Sequence, residues 1–468
     1  MNALRRLWRT VDDRTGISEI VRPLASHLVP PGTNWWYVFG SATLSAFVIQ
    51  VVTGIALATV YVPATNSAYQ SLEYIGGQAA FGRVLRGMHY FGASAMVLFV
   101  GIHMIRVFLT GSYKFPREMN WLSGVLLLAL TMLMGFTGQL LRWNQDAVWS
   151  VVVGAAQAAR VPVVGPALAH GMLGGTTVGG ATLTRFYAFH VFFIPAIIFA
   201  ALGAHLFLVI RNGISELPKA GRLVDPATYR TWYHDMLERE GRPFWPDVIW
   251  RDVVFSTGLV ICVASLAWFV GPPALGKPPD PTIIQADPRP DWYLLWYFAI
   301  LAMIPRAAQT YVIVLAPLVV GVLLVSLPFV AHRGERSPLS RPWAIAAVLV
   351  AVVMVGTLWR EGLKAPWSPA VSVPPLPASV IGATSGAVYD GARLFQTRAC
   401  IACHTIGTFG GQRGPDLTTV ASRLSVGQMT TRILTGAVNM PAYAGSLRSD
   451  ELSALIAFLS TRTTQGAK

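Results

Sequence analysis

The chain has 468 residues, of which 53% are hydrophobic and only 12% are charged, and its mean hydropathy is +0.51. Because an ordinary soluble domain is about one quarter charged, this composition excludes a soluble protein and indicates an integral membrane protein. The formal net charge of +14 does not indicate nucleic-acid binding, because the basic residues form no stripe on a soluble face.

Long apolar runs predict seven membrane-spanning helices, so the predicted fold class is all-α, a polytopic transmembrane helix bundle. The predicted spans cover residues 36–62, 88–109, 121–141, 186–210, 253–270, 310–331 and 342–358. A basic N-terminus leads through an amphipathic stretch into the first span. We therefore expect no cleavable signal peptide and assign the export signal to the first span.

The basic residues predict the orientation of the spans, because they concentrate in the N-terminal arm and in alternate loops. They are Arg5, Arg6, Arg9, Arg106, Lys114, Arg117, Arg211, Lys219, Arg222, Arg230, Arg333, Arg336 and Arg341. By the positive-inside rule these segments are cytoplasmic. The N-terminus is then inside, and everything after the seventh span is outside.

Four histidines lie in two of the predicted spans, His89 and His103 in the second and His190 and His205 in the fourth. Their spacings of 14 and 15 residues are close to four helical turns, so each helix shows both imidazoles on nearly one face. The two levels are roughly 21 Å apart, within a hydrocarbon core roughly 30 Å thick. The pattern predicts two metal centres, and paired neutral imidazoles suit six-coordinate haem iron. The alternative is that these histidines are polar groups satisfied inside the bundle.

Two glycine pairs repeat the same spacing. Gly40 and Gly54 lie in the first span, and Gly124 and Gly138 lie in the third, each pair 14 residues apart. A missing side chain at each level would let a flat macrocycle approach the backbone. The alternative is close helix packing, for which glycine is also common in membrane helices.

Near the C-terminus, Cys400, Cys403 and His404 form a CxxCH motif. In this motif two thiols bind haem c covalently and the histidine becomes an axial ligand. Met440, in the segment Asn439-Met440-Pro441, is the predicted sixth ligand, and Met429 is the competing one. Zinc is the alternative for the two cysteines, but it needs four ligands, and no second Cys or His pair lies nearby. Cys262 is expected to pack as a small hydrophobe.

The sequence resembles two known families. The first 360 residues resemble cytochrome b of the Rieske/cytochrome b complexes (cytochrome bc1/b6f), and the tail resembles a class I cytochrome c. The resemblance rests on the histidines and glycines, on Gly111-Ser-Tyr-Lys-Phe-Pro-Arg-Glu118, on Thr184-Arg185-Phe186-Tyr187 and on Pro290-Asp291-Trp292-Tyr293. The gap of 15 residues between His190 and His205 is typical of the b6f branch.

The resemblance implies four units. They are a four-helix di-haem part at 1–215, a three-helix part at 216–360, a linker rich in Pro and Ala at 361–385 and a cytochrome c domain at 386–468. In the b6f branch the first two parts are separate polypeptides, whereas here they are fused. Thioether attachment of haem c takes place outside the cytoplasm, which agrees with the orientation predicted from charge.

The resemblance also implies an activity, that of a quinol:cytochrome c reductase in a bacterial cytoplasmic membrane. His89 and His190 would hold the outer haem b, and His103 and His205 the inner one. Quinol oxidised outside would send one electron across the membrane to an inner quinone. The other would pass through a Rieske iron–sulfur partner to the fused haem c and on to an acceptor such as a cytochrome c. The complex would be a homodimer.

The family's quinol-site motif reads PEWY, and Asp291 stands in place of its glutamate, with Tyr293 completing the motif. A partly desolvated carboxylate at the membrane edge can act as a general base near neutral pH. The alternative is an ordinary loop acid beside interfacial aromatic residues. His27 and Arg211 are candidates for proton delivery to the inner quinone.

Two departures from the family stand out. The family's Gly-Tyr-x-Leu-Pro-Trp appears here as Gly138-Gln-Leu-Leu-Arg142-Trp143, so a tyrosine and a proline near the outer quinol pocket are absent. In the b6f branch a cysteine in the first helix tethers an extra haem, and Val38 occupies that position here. A covalent third haem in the membrane part is therefore not expected.

Two other functions account for part of the pattern. A haem-bearing membrane anchor or electron conduit for a separate dehydrogenase explains the histidines and CxxCH, but not the PDWY loop or the paired glycines. A transporter with histidine proton relays would carry no haem, and it predicts purified protein without b-type or c-type absorption bands.

Overall fold

The computed structural model describes residues 2–175, 177–279, 289–364, 374–411, 414–436, 440 and 442–464. These residues are mostly helical, and their strands are only two residues long. The predicted all-α fold class is confirmed.

Seven helices of the described chain are long and apolar enough to cross a membrane, as predicted. We call them spans 1 to 7. They are Phe39–Ala58, Gly82–Leu109, Glu118–Leu140, Gly180–Asn212, Ile249–Val270, Ala307–Val330 and Pro342–Lys364.

The ends of several predicted spans were wrong. Spans 2 and 4 begin six residues earlier than predicted, and span 7 ends six residues later. The apolar run marks the hydrocarbon region, but a helix continues past it wherever polar side chains find partners. In span 2, Arg83 donates to Trp268 O at 3.3 Å and Arg86 donates to Pro273 O at 2.7 Å. Span 1 is shorter than predicted, because residues 35–37 form a separate 3-10 turn.

Small residues bring the first spans close together. Ala42 and Ala46 of span 1 are buried with Leu259 and Val263 of span 5. A second cluster joins span 1 through Phe47 to spans 3 and 4. Without a hydrophobic effect between helices in lipid, such close packing is what holds spans together. Spans 6 and 7 are the least buried of the seven.

Short helices precede the first span or connect the spans, and most of them were not predicted from the sequence. They are Asn2–Thr15, Ile17–Ser26, Ala68–Gly77, Gln145–Ala158, Gly165–Leu173, Tyr229–Glu240 and Leu295–Met303. The last of these follows the PDWY motif directly. It packs against span 7, where Gly362 lies against Leu295.

Two antiparallel strand pairs join distant loops on the N-terminal side of the bundle. Leu28–Val29 pairs with Arg242–Pro243, and Leu223–Val224 pairs with Gly334–Glu335. Beside the second pair, Arg336 forms a buried ion pair with Glu216. Burial alone would raise the pKa of the Glu216 carboxyl, but Arg336 and the Tyr229 hydroxyl hold it below its ordinary value. This network fastens the loop between spans 6 and 7 to the segment that follows span 4.

The C-terminal domain is a small helical unit. Its helices are Ala378–Ile381, Ala387–Thr397, Val426–Thr435 and Ser449–Ser460, with 3-10 turns at Cys400–Ala402 and Val420–Ser422 and a strand pair Thr405–Ile406 and Phe409–Gly410. The helices Ala387–Thr397 and Ser449–Ser460 cross where Gly391 lies against the backbone of Ala454. A side chain at Gly391 would separate them. Phe395 and Phe458 pack at this crossing, with ring centroids 5.8 Å apart.

The predicted linker 361–385 is corrected at both ends. Span 7 continues to Lys364, so the first linker residues are helical. Leu376 and Ile381 are 4% and 6% exposed within the core of the C-terminal domain, and Arg462 donates to Val380 O at 2.7 Å. The packed domain therefore begins before residue 386, because apolar side chains in the Pro-rich segment find a core. Residues 365–373 lie outside the described residues.

Candidate functional site

The four predicted histidines face each other in pairs between spans 2 and 4. The ring centroids of His89 and His190 are 6.3 Å apart, with an interplanar angle of 74°. This distance suits a metal ion between the two rings, because it equals two metal–nitrogen bonds of about 2.0 Å plus the distance from each ring nitrogen to its ring centre. His103 and His205 both line the same cavity toward the N-terminal side.

Hydroxyl side chains hold three of the four imidazoles. His89 Nδ1 is 2.9 Å from Thr53 Oγ1, His190 Nδ1 is 3.1 Å from Thr137 Oγ1, and His205 Nδ1 is 2.8 Å from Ser123 Oγ. Each hydroxyl also donates its hydrogen to a carbonyl one turn earlier in its own helix. Each hydroxyl is then an acceptor for Nδ1–H, which leaves Nε2 free to bind a metal.

Each predicted glycine lies beside one predicted histidine. A Cβ on Gly40 would be 3.3 Å from His103 Cε1, and one on Gly54 would be 3.3 Å from His89 Cε1. The corresponding distance is 3.6 Å from Gly124 to His205 and 2.6 Å from Gly138 to His190. At each of the four positions, therefore, the missing side chain leaves room beside an imidazole.

A cavity of about 710 Å³ surrounds the inner histidine pair. Its wall includes Gly40, Gly124 and Arg106, and Nε and Nη2 of Arg106 have no hydrogen-bond partner among the described residues. Buried donors of this kind are costly unless a partner satisfies them. A flat, metal-centred group with anionic substituents fits this donor set, so the residues present fit haem.

Asp252, which was not predicted from the sequence, also lines the inner cavity. Ser41 Oγ donates to Asp252 Oδ1 at 2.5 Å. Its position could have indicated a functional role, because Asp252 is the acidic residue in the first turn of span 5 and ionisable groups in membrane helices are usually functional. Of the two residues proposed instead, Arg211 is exposed and does not line the cavity. His27 stacks on Phe244, which lines the cavity, at 4.9 Å.

The PDWY motif lies against spans 2 and 3 at the level of the outer histidine pair. Tyr293 Oη donates to Asp291 Oδ2 at 3.2 Å and lies against Gly135, one helical turn from Gly138. Burial raises the pKa of the Tyr293 hydroxyl, and the Asp291 carboxylate raises it further. Trp292 Nε1 is 3.4 Å from Ser94 Oγ of span 2.

In the C-terminal domain, His404 Nδ1 is 2.8 Å from Pro415 O, which leaves Nε2 free. A Cβ on Gly414 would be 2.5 Å from His404 Cε1, so a glycine again makes room beside the ring. Cys400 and Cys403 lie on the same turn, Cys400–Ala402, which Cys403 caps. Among the described residues, no three or more His, Cys, Asp or Glu side chains are grouped so that they could hold a metal ion.

The two candidate methionines differ in their surroundings. Met429 is 3% exposed and fully part of the hydrophobic core, as expected for a packing residue. Met440 is partly buried against the same core as Cys400. Its neighbours Asn439 and Pro441 lie outside the described residues.

Paired histidines in facing spans and a CxxCH domain define a membrane-embedded haem protein with a cytochrome c domain. Residues 24–213 match the family model Cytochrome b/b6/petB, and residues 278–377 match Cytochrome b(C-terminal)/b6/petD. Residues 386–459 match the model Cytochrome C oxidase, cbb3-type, subunit III. The chain belongs to the cytochrome b/b6 family.

Relatives and a solved structure agree with this assignment. The chain is 41% identical over 220 residues to the menaquinol:cytochrome c reductase cytochrome b subunit of Geobacillus thermodenitrificans, covering 45% of this chain and 98% of the relative. It is 39% identical over 210 residues to cytochrome b6 of Picosynechococcus sp., covering 45% of this chain and 95% of the relative. A solved structure, described as hyperthermophilic respiratory Complex III, matches with a TM-score of 0.63 and 26% identity, covering 76% of this chain and 94% of that one.

Proposed function

We propose that the chain is the di-haem membrane subunit of a quinol:cytochrome c reductase, a proton-translocating oxidoreductase. The observation that carries this proposal is the contact of Tyr293, bonded to Asp291, with Gly135, one turn from the glycine beside His190. A proton acceptor and an electron acceptor site are thus neighbours. The name of the Geobacillus relative supports the same activity.

The haem ligands follow from the paired histidines. His89 and His190 would hold the outer haem b, and His103 and His205 would hold the inner one. Cys400 and Cys403 would attach haem c covalently, and His404 and Met440 would bind its iron. Haem held in this way would supply one-electron transfer without oxygen chemistry. The chain orients the imidazoles through Nδ1 and makes room for the rings with glycines.

At the outer site, quinol releases two electrons and two protons. The Asp291 carboxylate accepts one of these protons as a general base, and the second proton is released to the outer aqueous phase. The Tyr293 hydroxyl donates to the same carboxylate and so holds its direction. A Rieske iron–sulfur partner would accept one electron, and the fused cytochrome c domain would supply the route from this partner to an acceptor such as a cytochrome c.

The second electron crosses the membrane to an inner quinone, which needs protons from the cytoplasmic side. We assign proton delivery to Asp252, because it lines the inner cavity and Ser41 holds its carboxylate. This replaces the earlier candidates Arg211 and His27. The net effect is uptake of protons inside and release outside.

We propose that the complex lies in a bacterial cytoplasmic membrane as a homodimer. Its N-terminus would be inside and its cytochrome c domain outside. This orientation follows from the basic loops, and it puts haem c on the side where thioether bonds form.

Replacing Asp291 separates this function from the electron-conduit alternative. We expect Asp291→Asn to lower quinol oxidation by the purified complex at least 100-fold, because general-base catalysis contributes about 10²–10⁴-fold. The measurement is quinol-dependent cytochrome c reduction, with b and c absorption bands recorded on the same sample.

The matched control is Glu73→Gln, an exposed carboxylate in the helix Ala68–Gly77 on the same side. It should retain wild-type turnover. Unchanged turnover in Asp291→Asn with intact haem bands would favour the conduit. A purified wild-type protein without either absorption band would favour the transporter.

A further inference from the structure

On the outer side of His89 and His190, each of the first four spans, or the turn that continues it, carries a phenol or a guanidinium. The four residues are Tyr61, Arg86, Arg142 and Tyr187. Each stands three to seven residues from one of the two histidines or from the glycine beside its ring, which is one or two helical turns or roughly 5–10 Å. We call these four residues the outer rim, because they border the space above the outer histidine pair.

Within the outer rim, Tyr61 has a buried hydroxyl group with no hydrogen-bond partner among the described residues. The residue is 9% exposed, and its ring stacks on the ring of Tyr187 with centroids 5.9 Å apart. Its backbone N–H donates to Leu57 O at 2.9 Å, so the turn of span 1 continues as far as this residue. Burial raises the pKa of the hydroxyl, which therefore stays protonated. A buried donor of this kind is costly unless a partner satisfies it.

The guanidinium of Arg142 brings positive charge to the outer rim, at the position where the family pattern has a proline. Its Nε donates to Gln139 O at 3.4 Å. Arg142 and Arg86 are both partly buried, and neither forms an ion pair within the described part of the chain. They are close enough to repel each other. An anion between them would remove this repulsion.

The segment that carries Arg142 is fastened to the segment that carries Tyr61. Trp143 Nε1 donates to Thr65 O at 3.1 Å, and Trp143 and Tyr61 are buried in one hydrophobic cluster. The outer rim thus joins an unsatisfied phenol to a guanidinium that has no carboxylate partner. Both groups are hydrogen-bond donors that suit a carboxylate.

We propose that Tyr61 and Arg142 bind the carboxylate groups of the outer haem b and raise its reduction potential. This inference rests on the proposed function, in which His89 and His190 hold that haem. The carboxylates of haem lie at one edge of the ring, and the outer rim supplies donors for such an edge. Hydrogen bonds and charge around a haem set its potential, and positive charge favours the reduced state because reduction adds an electron. A raised potential would make the outer haem a better electron acceptor from quinol.

The test is a spectroelectrochemical redox titration of the purified, haem-loaded complex, which resolves the two b haems. Arg142→Gln should lower the reduction equilibrium constant of one b haem about tenfold, or about 59 mV for a one-electron couple, because it removes a full charge. Tyr61→Phe should lower that of the same haem about threefold, because it removes one neutral donor. Arg142→Lys keeps the charge and should retain most of the wild-type potential.

The matched controls are Arg160→Gln and Tyr74→Phe, which remove an exposed guanidinium and an exposed phenol on the same side of the bundle. Both should titrate as wild type does. Haem content and the thermal unfolding midpoint show that each variant is folded. The inference is overturned if Arg142→Gln and Tyr61→Phe titrate as wild type, or if they shift both b haems equally. A wild-type protein without two b-haem potentials would contradict the proposed function itself.

Discussion

Three hydroxyl residues stand directly before glycines in spans 1 and 3, as Thr53-Gly54, Ser123-Gly124 and Thr137-Gly138. In each pair the glycine makes room beside one imidazole and the hydroxyl bonds its Nδ1. Gly40 follows Phe39 instead, so the pattern is incomplete at His103. These hydroxyl residues could have been recognised in the sequence. Each stands next to a glycine, and both residues contact the same histidine of the partner helix.

The Thr53 hydroxyl should matter for haem binding more than for folding. We expect Thr53→Val to weaken haem binding at the outer site about 10–100-fold, because loss of a partner that orients a metal-bound histidine has this effect. The measurement is haem transfer to an excess of an apo-haem scavenger, followed by b-band absorption. The control is Thr59→Val. It removes an exposed hydroxyl of the same helix end that donates to Ala56 O at 2.7 Å. Equal haem retention in both variants would contradict the role of Thr53.

Among the elements, apolar runs located every span but only some of the span ends. Hydropathy measures transfer to lipid, whereas a helix ends where its backbone groups find other partners. The surface helices Gln145–Ala158 and Gly165–Leu173 were missed, because they pack with the outer ends of the spans and not with lipid. The helix Ala387–Thr397 of the C-terminal domain is amphipathic, because one side packs on the core of a small domain and the other faces solvent.

The buried ion pair between Glu216 and Arg336 joins two sets of loops, so breaking it should loosen the three-helix part. We expect Glu216→Gln to destabilise the protein by about 3–5 kcal/mol, because it leaves a buried guanidinium without its partner. The check is the thermal unfolding midpoint of the purified protein in detergent. Glu361→Gln, which removes an exposed pair with Lys364 at 3.2 Å, should cost at most about 1 kcal/mol.

The same pair has a defined pH dependence. The folded pKa of Glu216 is below its unfolded value, so its contribution to stability is present above the unfolded pKa and is lost as pH falls through the folded pKa. Wild type should therefore lose stability relative to Glu216→Gln only on the acid side. A constant difference between the two proteins down to the lowest pH would contradict this.

The whole molecule joins a membrane bundle to a separate helical domain with its own core. The proposed orientation predicts that a membrane-impermeant protease added to intact spheroplasts releases the cytochrome c domain from its connecting segment. The loop between spans 4 and 5 should become sensitive only in inverted vesicles. The opposite pattern would reverse the orientation, since every basic loop would then lie outside.

The amino-acid sequence alone predicts the class of the protein, its seven spans and the candidate haem ligands. It can do so because a lipid bilayer requires apolar helices of a set length, and because the spacing of histidine, cysteine and glycine indicates which of them can meet. The folded structure was needed to show which hydroxyl contacts which imidazole, that Asp252 lines the inner cavity whereas Arg211 does not, and where the C-terminal domain begins. These depend on contacts between segments far apart in the chain, which no local period encodes.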